Sequence, residues 1–348
     1  MRHVPAALAA AALALATWPA ASSAHERQSP AARFVLSPYK DITLSLDGAT
    51  HQIASAVSGT ASPLVANGRS TLPAGVRALT WAFAVGECGE ETWMGVDAQK
   101  FAAANVPAFH AAGIDYIVST GGAKGVFTCA SDAGMDAFIA RYSSPQLIGL
   151  DFDIEGPQTQ EQIESLMQRI RTASERHPQL RMSFTIATLA ASDGSRGSLN
   201  ATGERVLAAL RSHGPKHYVV NLMVMDYGPA RRANCVVVQG RCDMAASAMQ
   251  AARNVSRKYG VPLSRIELTP MIGVNDVVEN VFTLDDARAL AGLVRRHRMA
   301  GLHFWSLDRD TPCSGGSNEV SPVCHSLADR APAAWSFTRT IGGLPDRR

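Results

Sequence analysis

Residues 147–156 read LIGLDFDIEG, and the fold follows from how that run is placed. Asp151, Asp153 and Glu155 alternate with Leu150, Phe152 and Ile154, and Gly156 ends the run. A period of two is the signature of a strand, in which residues i, i+2 and i+4 share one face. The apolar face needs a cover, while the acidic face needs polar space around it, because adjacent carboxylates repel and resist burial. A strand covered by helices outside and open at one end inside meets both demands.

The rest of the chain repeats the unit that such a strand belongs to. Strand-like runs fall at 41–46, 77–85, 114–119, 147–154, 181–187, 218–225, 264–271 and 300–305. Helix-like segments fall between them at 97–112, 131–142, 158–176, 202–212, 243–259 and 283–298, and 51–65 reads as helix or loop. The clearest helix, 158–176, carries Ile163, Leu166, Met167 and Ile170 at spacings of three and four, with Pro157 suited to its first position. Strand–helix alternation repeated along 348 residues predicts an α/β protein built as a single (β/α)8 TIM barrel. An open doubly wound sheet would show a glycine-rich loop after its first strand, and SPYKDITLSLDGAT at 37–50 has none.

Active sites of such barrels lie at the carboxyl ends of the strands. Asp151, Asp153 and Glu155 therefore point into the barrel toward its mouth. Crowding raises the pKa of at least one group, which keeps an acid protonated at working pH, and Glu155, the last and most accessible, is the natural general acid. A calcium site would draw its ligands from a loop rather than from an apolar strand, and a solvated acidic edge would not need Phe152 and Ile154 packed behind it.

Residues 1–24 read as a signal peptide with cleavage near Ala24, 25–32 as a loose leader, and 33–348 as one catalytic domain. The protein is accordingly expected to be secreted and extracellular. Six cysteines in an exported chain predict three disulfides: two short loops, Cys235–Cys242 and Cys313–Cys324, and by elimination Cys88–Cys129. There is no CxxC or HExxH, so no metal is expected. The net charge of +3 and the lack of a basic run argue against nucleic acid as a partner, and nothing beyond the leader is apolar enough to span a membrane. GGAKG at 121–125 lacks phosphate-loop spacing, no GxSxG elbow is present, and the ten histidines are scattered.

GLDFDIEG resembles the DGxDxDxE signature of glycoside hydrolase family 18, the chitinases and their relatives. In the same order, STGG (119–122) is similar to the family's SxGG motif, VNLMVMDYG (220–228) to its sixth-strand motif, LTPMIGVND (268–276) to the end of its seventh strand, and HFWSLDRDTPC (303–313) to its eighth strand. The resemblance runs from about residue 37 to 337. It implies a secreted chitinase that cuts β-1,4 bonds between N-acetylglucosamine units without a cofactor, by a retaining mechanism in which the substrate's acetamido group is the nucleophile, an exception to the two-carboxylate scheme. On this resemblance Glu155 is the general acid/base. Asp153 hydrogen-bonds the acetamido nitrogen, and Asp151 lies behind it and shares a proton or hydrogen bond with it.

The resemblance also implies sugar contacts from Asp226, from Tyr227 if the strand bulges, and from Trp305 under the sugar at the cut. Trp93 is a candidate second platform, Asn275 and Asp276 are candidate hydroxyl contacts, and Tyr39 and Asp41 match the family's opening pattern. Two positions depart from the family. Ile148 replaces the first aspartate of the signature, and Met225 stands where a tyrosine often lies. The segment 273–282 is too short for the extra α+β domain of some relatives, which predicts a shallow groove and endo cutting. The expected partner is chitin or N-acetylglucosamine oligosaccharide, bound by a monomer. The alternatives are an endo-β-N-acetylglucosaminidase acting on N-glycans and a non-catalytic chitin-binding lectin.

Overall fold

The computed structural model describes residues 1, 3, 33–314, 319–327 and 332–343. The expected signal peptide and nearly all of the leader lie outside the described residues. Eight parallel strands form the barrel. β1 runs in two stretches, Val35–Leu36 and Tyr39–Asp41, and is followed by β2 (Ala78–Ala84), β3 (Asp115–Gly121), β4 (Leu147–Asp153), β5 (Arg181–Ala187), β6 (Val219–Met223), β7 (Ile266–Thr269) and β8 (Gly301–Leu302).

The two halves of β1 close the ring. Val35 pairs with Gly301 of β8, and Tyr39 pairs with Thr80 of β2. Pro38 sits between the halves; it has no N–H to give to a ladder, but its carbonyl accepts the amide of Thr80 at 2.9 Å. The first strand thus lies earlier than the 41–46 run that hydropathy suggested, because Ile42 onward turns away from the sheet.

Among the described residues seven helices follow: α1 (Ala98–Ala112), α2 (Asp132–Tyr142), α3 (Gln160–Arg176), α4 (Ala201–His213), α5 (Met244–Tyr259), α6 (Leu284–Arg296) and α7 (Ser336–Gly342). The stripe on α3 is buried as its spacing predicts, joined by Ala173. Its start is set by a capping box between Thr159 and Gln162 rather than by Pro157. No helix follows β1; two small hairpins, 54–55 with 62–63 and 65–66 with 69–70, stand there, which resolves the ambiguous 51–65 segment. Helix α7 was not foreseen. No described helix is long and apolar enough to cross a membrane.

All three disulfides form as expected, Cys88–Cys129, Cys235–Cys242 and Cys313–Cys324. Each lies in segments that leave the carboxyl ends of strands. A crevice of about 560 Å3, lined by Arg33, Val76, Arg77, Ile148, Gln179 and Phe304 among others, lies at the strands' opposite end, away from the carboxylates.

Candidate active site

The barrel interior is polar, and it is built in layers. At the bottom, Arg181 is paired with Glu267, and His303 Nε2 lies 3.3 Å from the same carboxylate. Burial works against the Glu267 charge, but the Arg181 guanidinium and the His303 ring beside it hold its carboxyl down at about 2. Gly149 makes room for this layer, since a Cβ there would sit 2.8 Å from the Arg181 carbonyl.

Asp151 forms the next layer. It is buried, and its two oxygens accept four hydroxyls. Tyr39 and Ser119 donate to Oδ2 at 2.9 and 2.6 Å, and Ser183 and Thr185 donate to Oδ1 at 2.7 and 2.8 Å. Burial pushes the Asp151 carboxyl up, and the hydroxyls pull it back toward the ionised form. Asn221 ties the cage together by donating to Tyr39 and Thr185, each at 2.9 Å, while accepting from Thr269 at 2.8 Å.

Asp153 is the opposite case. It is buried too, but its Oδ1 has no hydrogen-bond partner among the described residues. Burial first, then the charges of Glu155 and Asp151, raise its pKa well above the carboxylate range. No hydrogen bond joins Asp153 to Asp151 among the described residues; their link is electrostatic. With two adjacent carboxylates and hydrogen-bond donors on only one, the proton belongs on Asp153. Glu155 is half-buried at the mouth, and burial, then the Asp226 carboxylate, push it to about 7.

The STGG stretch shapes this cluster through its backbone. Gly121 pairs with Asp153 in the β3–β4 register, at a φ of 86°. The Gly122 amide donates to the Asp153 carbonyl at 3.1 Å. Ile148 lines the crevice at the strands' opposite end, away from the three carboxylates, so the departure from the family signature leaves their cage intact.

Across the mouth, Asp226 adopts a left-handed φ of 51°. Its Oδ1 accepts the Val277 amide at 2.8 Å, and its own amide donates to Asn275 Oδ1 at 3.4 Å. Burial is the main cause that raises its carboxyl. Asn275 is wholly buried, with Nδ2 on the carbonyls of Met271 and Gly273, so it braces a loop rather than meeting a sugar. Asp276 is exposed beside it and Met225 is half-buried. Tyr227 lies in the core with its hydroxyl unpartnered among the described residues.

Trp305 keeps an exposed part and stacks on Phe83, centroids 5.6 Å apart and planes at 18°, with Tyr39 tilted against it at 6.2 Å. Trp93 differs from expectation. It is fully buried, stacks on Phe101 at 4.2 Å and donates to the Tyr142 hydroxyl at 2.8 Å, so no face is left for a ligand.

Sequence reasoning missed the roles of Ser183, Thr185, Asn221 and Phe83, and left Tyr39 without one. The signal for the β5 pair was present: Arg181, Ser183 and Thr185 alternate with apolar residues as the acidic residues of β4 do.

No family model matches the chain. It is 29% identical over 253 residues to a "Probable bifunctional chitinase/lysozyme" of Escherichia coli K12, covering 67% of this chain and 27% of that protein. It is 28% identical over 227 residues to "Endochitinase 11" of Metarhizium anisopliae, covering 60% and 42%. The chain thus spans less than half the length of either relative. Active domain 2 of the thermostable chitinase of Pyrococcus furiosus, solved with chito-oligosaccharides, superposes with a TM-score of 0.64 at 25% identity, over 89% of this chain and 93% of that one.

A closed (β/α)8 barrel with an acid triad at the carboxyl end of its fourth strand is a scaffold on which acid-assisted glycosidic bond cleavage can be carried out. The similarities narrow this further: the chain is similar in sequence to chitinases and shares the fold of a chitinase catalytic domain.

Proposed function

We propose that the protein is a secreted chitinase that hydrolyses β-1,4 bonds between N-acetylglucosamine units, cutting within chains and retaining anomeric configuration. The observation that carries this reading is the contrast within one strand. Asp151 is saturated by four hydroxyls, Asp153 above it is buried with an orphaned oxygen, and Glu155 is a half-buried acid at the mouth. An enzyme needing two independent carboxylates would keep both ionisable and facing the substrate. Here only Glu155 is placed to give a proton to a leaving oxygen. Asp153, beneath it, is placed to accept the acetamido N–H, which turns the acetamido oxygen toward the anomeric carbon. That oxygen attacks as the glycosidic bond breaks, forming an oxazolinium ion. Glu155 then takes a proton from the water that opens it.

Trp305 offers an apolar ring for the sugar's C–H face, and Asp226 lies across from Glu155. Endo action is supported by the β7–α6 segment, which holds only the hairpin Gly273–Val274 with Val281–Phe282 and so raises no wall over the groove. Export is supported by three disulfides and by the apolar leader with cleavage near Ala24. The protein is proposed to act as a monomer.

Mass spectrometry of a chitin hexasaccharide tests the reading, with Glu155→Gln as control. Dimer, trimer and tetramer from the wild type alone are expected. A series dominated by dimer from the first minutes would overturn endo action, and an intact hexasaccharide with the wild type would overturn chitin as substrate and direct the test to N-glycans.

The proton on Glu155 also predicts a pH profile. The free enzyme is competent while Glu155 is protonated, so kcat/KM should fall above pH about 7, approaching tenfold per pH unit. A profile still rising at pH about 9 would remove Glu155 as the acid.

A further inference from the structure

We propose that Arg309 is a positioning residue for Asp226, acting through the loop 271–277 that it clamps from beneath. The inference rests on the proposed glycosidase reading only in that Asp226 is taken to serve the substrate.

Arg309 follows β8, four residues beyond Trp305, and is 1% exposed. Its guanidinium meets backbone carbonyls. Nε and Nη2 donate to Ile272 O at 3.1 and 3.0 Å, Nη2 also donates to Val274 O, and Nη1 donates to Ser321 O. These bonds fasten the loop after β7 to the segment after β8. Two further contacts run along the same seam. The Val274 amide donates to His325 O at 3.0 Å, and the His325 amide donates to Thr311 O at 3.0 Å.

The fastened loop in turn holds Asp226. Asn275 Oδ1 receives the Asp226 amide and the Val277 amide reaches its carboxylate, so both ends of the residue hang on positions just beyond the carbonyls that Arg309 grips. A non-glycine residue at positive φ is costly and persists only where its surroundings over-determine it. The same guanidinium carries a charge that no carboxylate hydrogen-bonds among the described residues. Burial pushes it down to about 10, and the charges of Asp276 and Asp226 act in its favour. A buried, unpaired arginine is an expensive way to tie a loop that apolar packing would also tie. Its charge is accounted for if it also steadies the Asp226 carboxylate. Glu155 at the end of β4, Asp276 on the loop, and His325 are the other titratable groups whose charges act within this set.

A double-mutant cycle tests the proposal, with kcat and KM on chitin hexasaccharide for wild type, Arg309→Gln, Asp226→Asn and the double variant, and amide hydrogen exchange at Val277 for each. Arg309→Gln is expected to lower kcat by about 10- to 100-fold with little change in KM, and to speed exchange at Val277 about tenfold or more while α3 stays protected. In the Asp226→Asn background the same change should cost less than about threefold, because the residue it positions has already lost its charge. Equal losses in both backgrounds would show that Arg309 acts independently of Asp226 and overturn the proposal. Unchanged exchange at Val277 would overturn the clamp. If Arg309→Gln fails to fold, Arg309→Lys carries the same cycle, with the charge kept and the fork lost, and a smaller loss in kcat expected. If the wild type leaves chitin intact, the functional reading fails, while exchange at Val277 still decides the clamp.

Discussion

Glu155→Gln should lose turnover and gain stability at once. Glutamine matches glutamate in shape and keeps the strand end in place, but it has no proton to give. A positioned general acid contributes on the order of 10²–10⁴-fold, so kcat should fall by at least that range, with binding of a chitin oligosaccharide retained. The stability gain follows from linkage. The folded-state pKa of Glu155 is raised to about 7, so the folded protein binds this proton more tightly than the unfolded chain between its ordinary value and pH 7. Stability from this group is therefore full at low pH and falls as pH rises through that window. Above it the wild type carries a half-buried carboxylate that the variant lacks. The variant should be more stable by about 1–3 kcal/mol at pH 8 and equal to wild type near pH 4, as thermal melts at the two values would measure. An equal Tm difference at both pH values would mean that the glutamate's environment does not disfavour its charge.

Gly121→Ala is expected to damage both the fold and the site. A Cβ at this position would meet the Asp153 carbonyl oxygen at 2.1 Å, a contact that the β3–β4 ladder cannot relieve without parting. The φ of 86° adds strain that any L side chain would feel. Together these should cost about 3 kcal/mol or more and move the backbone of Asp153 away from its present place. Denaturant melts and kcat measured on the remaining folded protein separate the two effects. Activity should fall by more than about 100-fold even where the protein is folded, because small misplacement of a catalytic group is magnified in rate. A folded variant with near wild-type kcat would show that the Asp153 backbone tolerates the shift.

Much of this arrangement was legible in the chain because it depends on periodicity. The period of two in residues 150–155 fixed both the strand and the shared face of its carboxylates. The period of 3.6 fixed α3, and the cysteine spacing gave two of the bridges, with Cys88–Cys129 left by elimination. What escaped depends on contacts between distant segments. Tyr39 and Asp151 are 112 positions apart, and nothing local says that the tyrosine hydroxyl ends on that carboxylate. Trp93 read as a candidate platform because it follows the second strand, yet that segment folds onto α1 and buries it against Phe101. Asn275 followed by Asp276 read as a pair of sugar contacts. The backbone instead turns one inward as a brace and leaves the other in water. The broken first strand was misplaced because its closing half, Val35–Leu36, is too short to give a period at all.

The three disulfides bear on how long the protein lasts in the presence of peptidases. Exposed loops are where peptidases nick a chain, and the loops of the catalytic face are the long ones here. A cut between Cys313 and Cys324, or between Cys235 and Cys242, leaves the new ends joined through sulfur within a small ring. The Cys88–Cys129 bridge does the same on a larger scale, since a break anywhere between Cys88 and Cys129 leaves both fragments bonded and packed in the barrel. Digestion by an endopeptidase should therefore yield nicked protein that runs as one species until a reductant is added. The integrity of its fold is thereby separated from the integrity of its main chain.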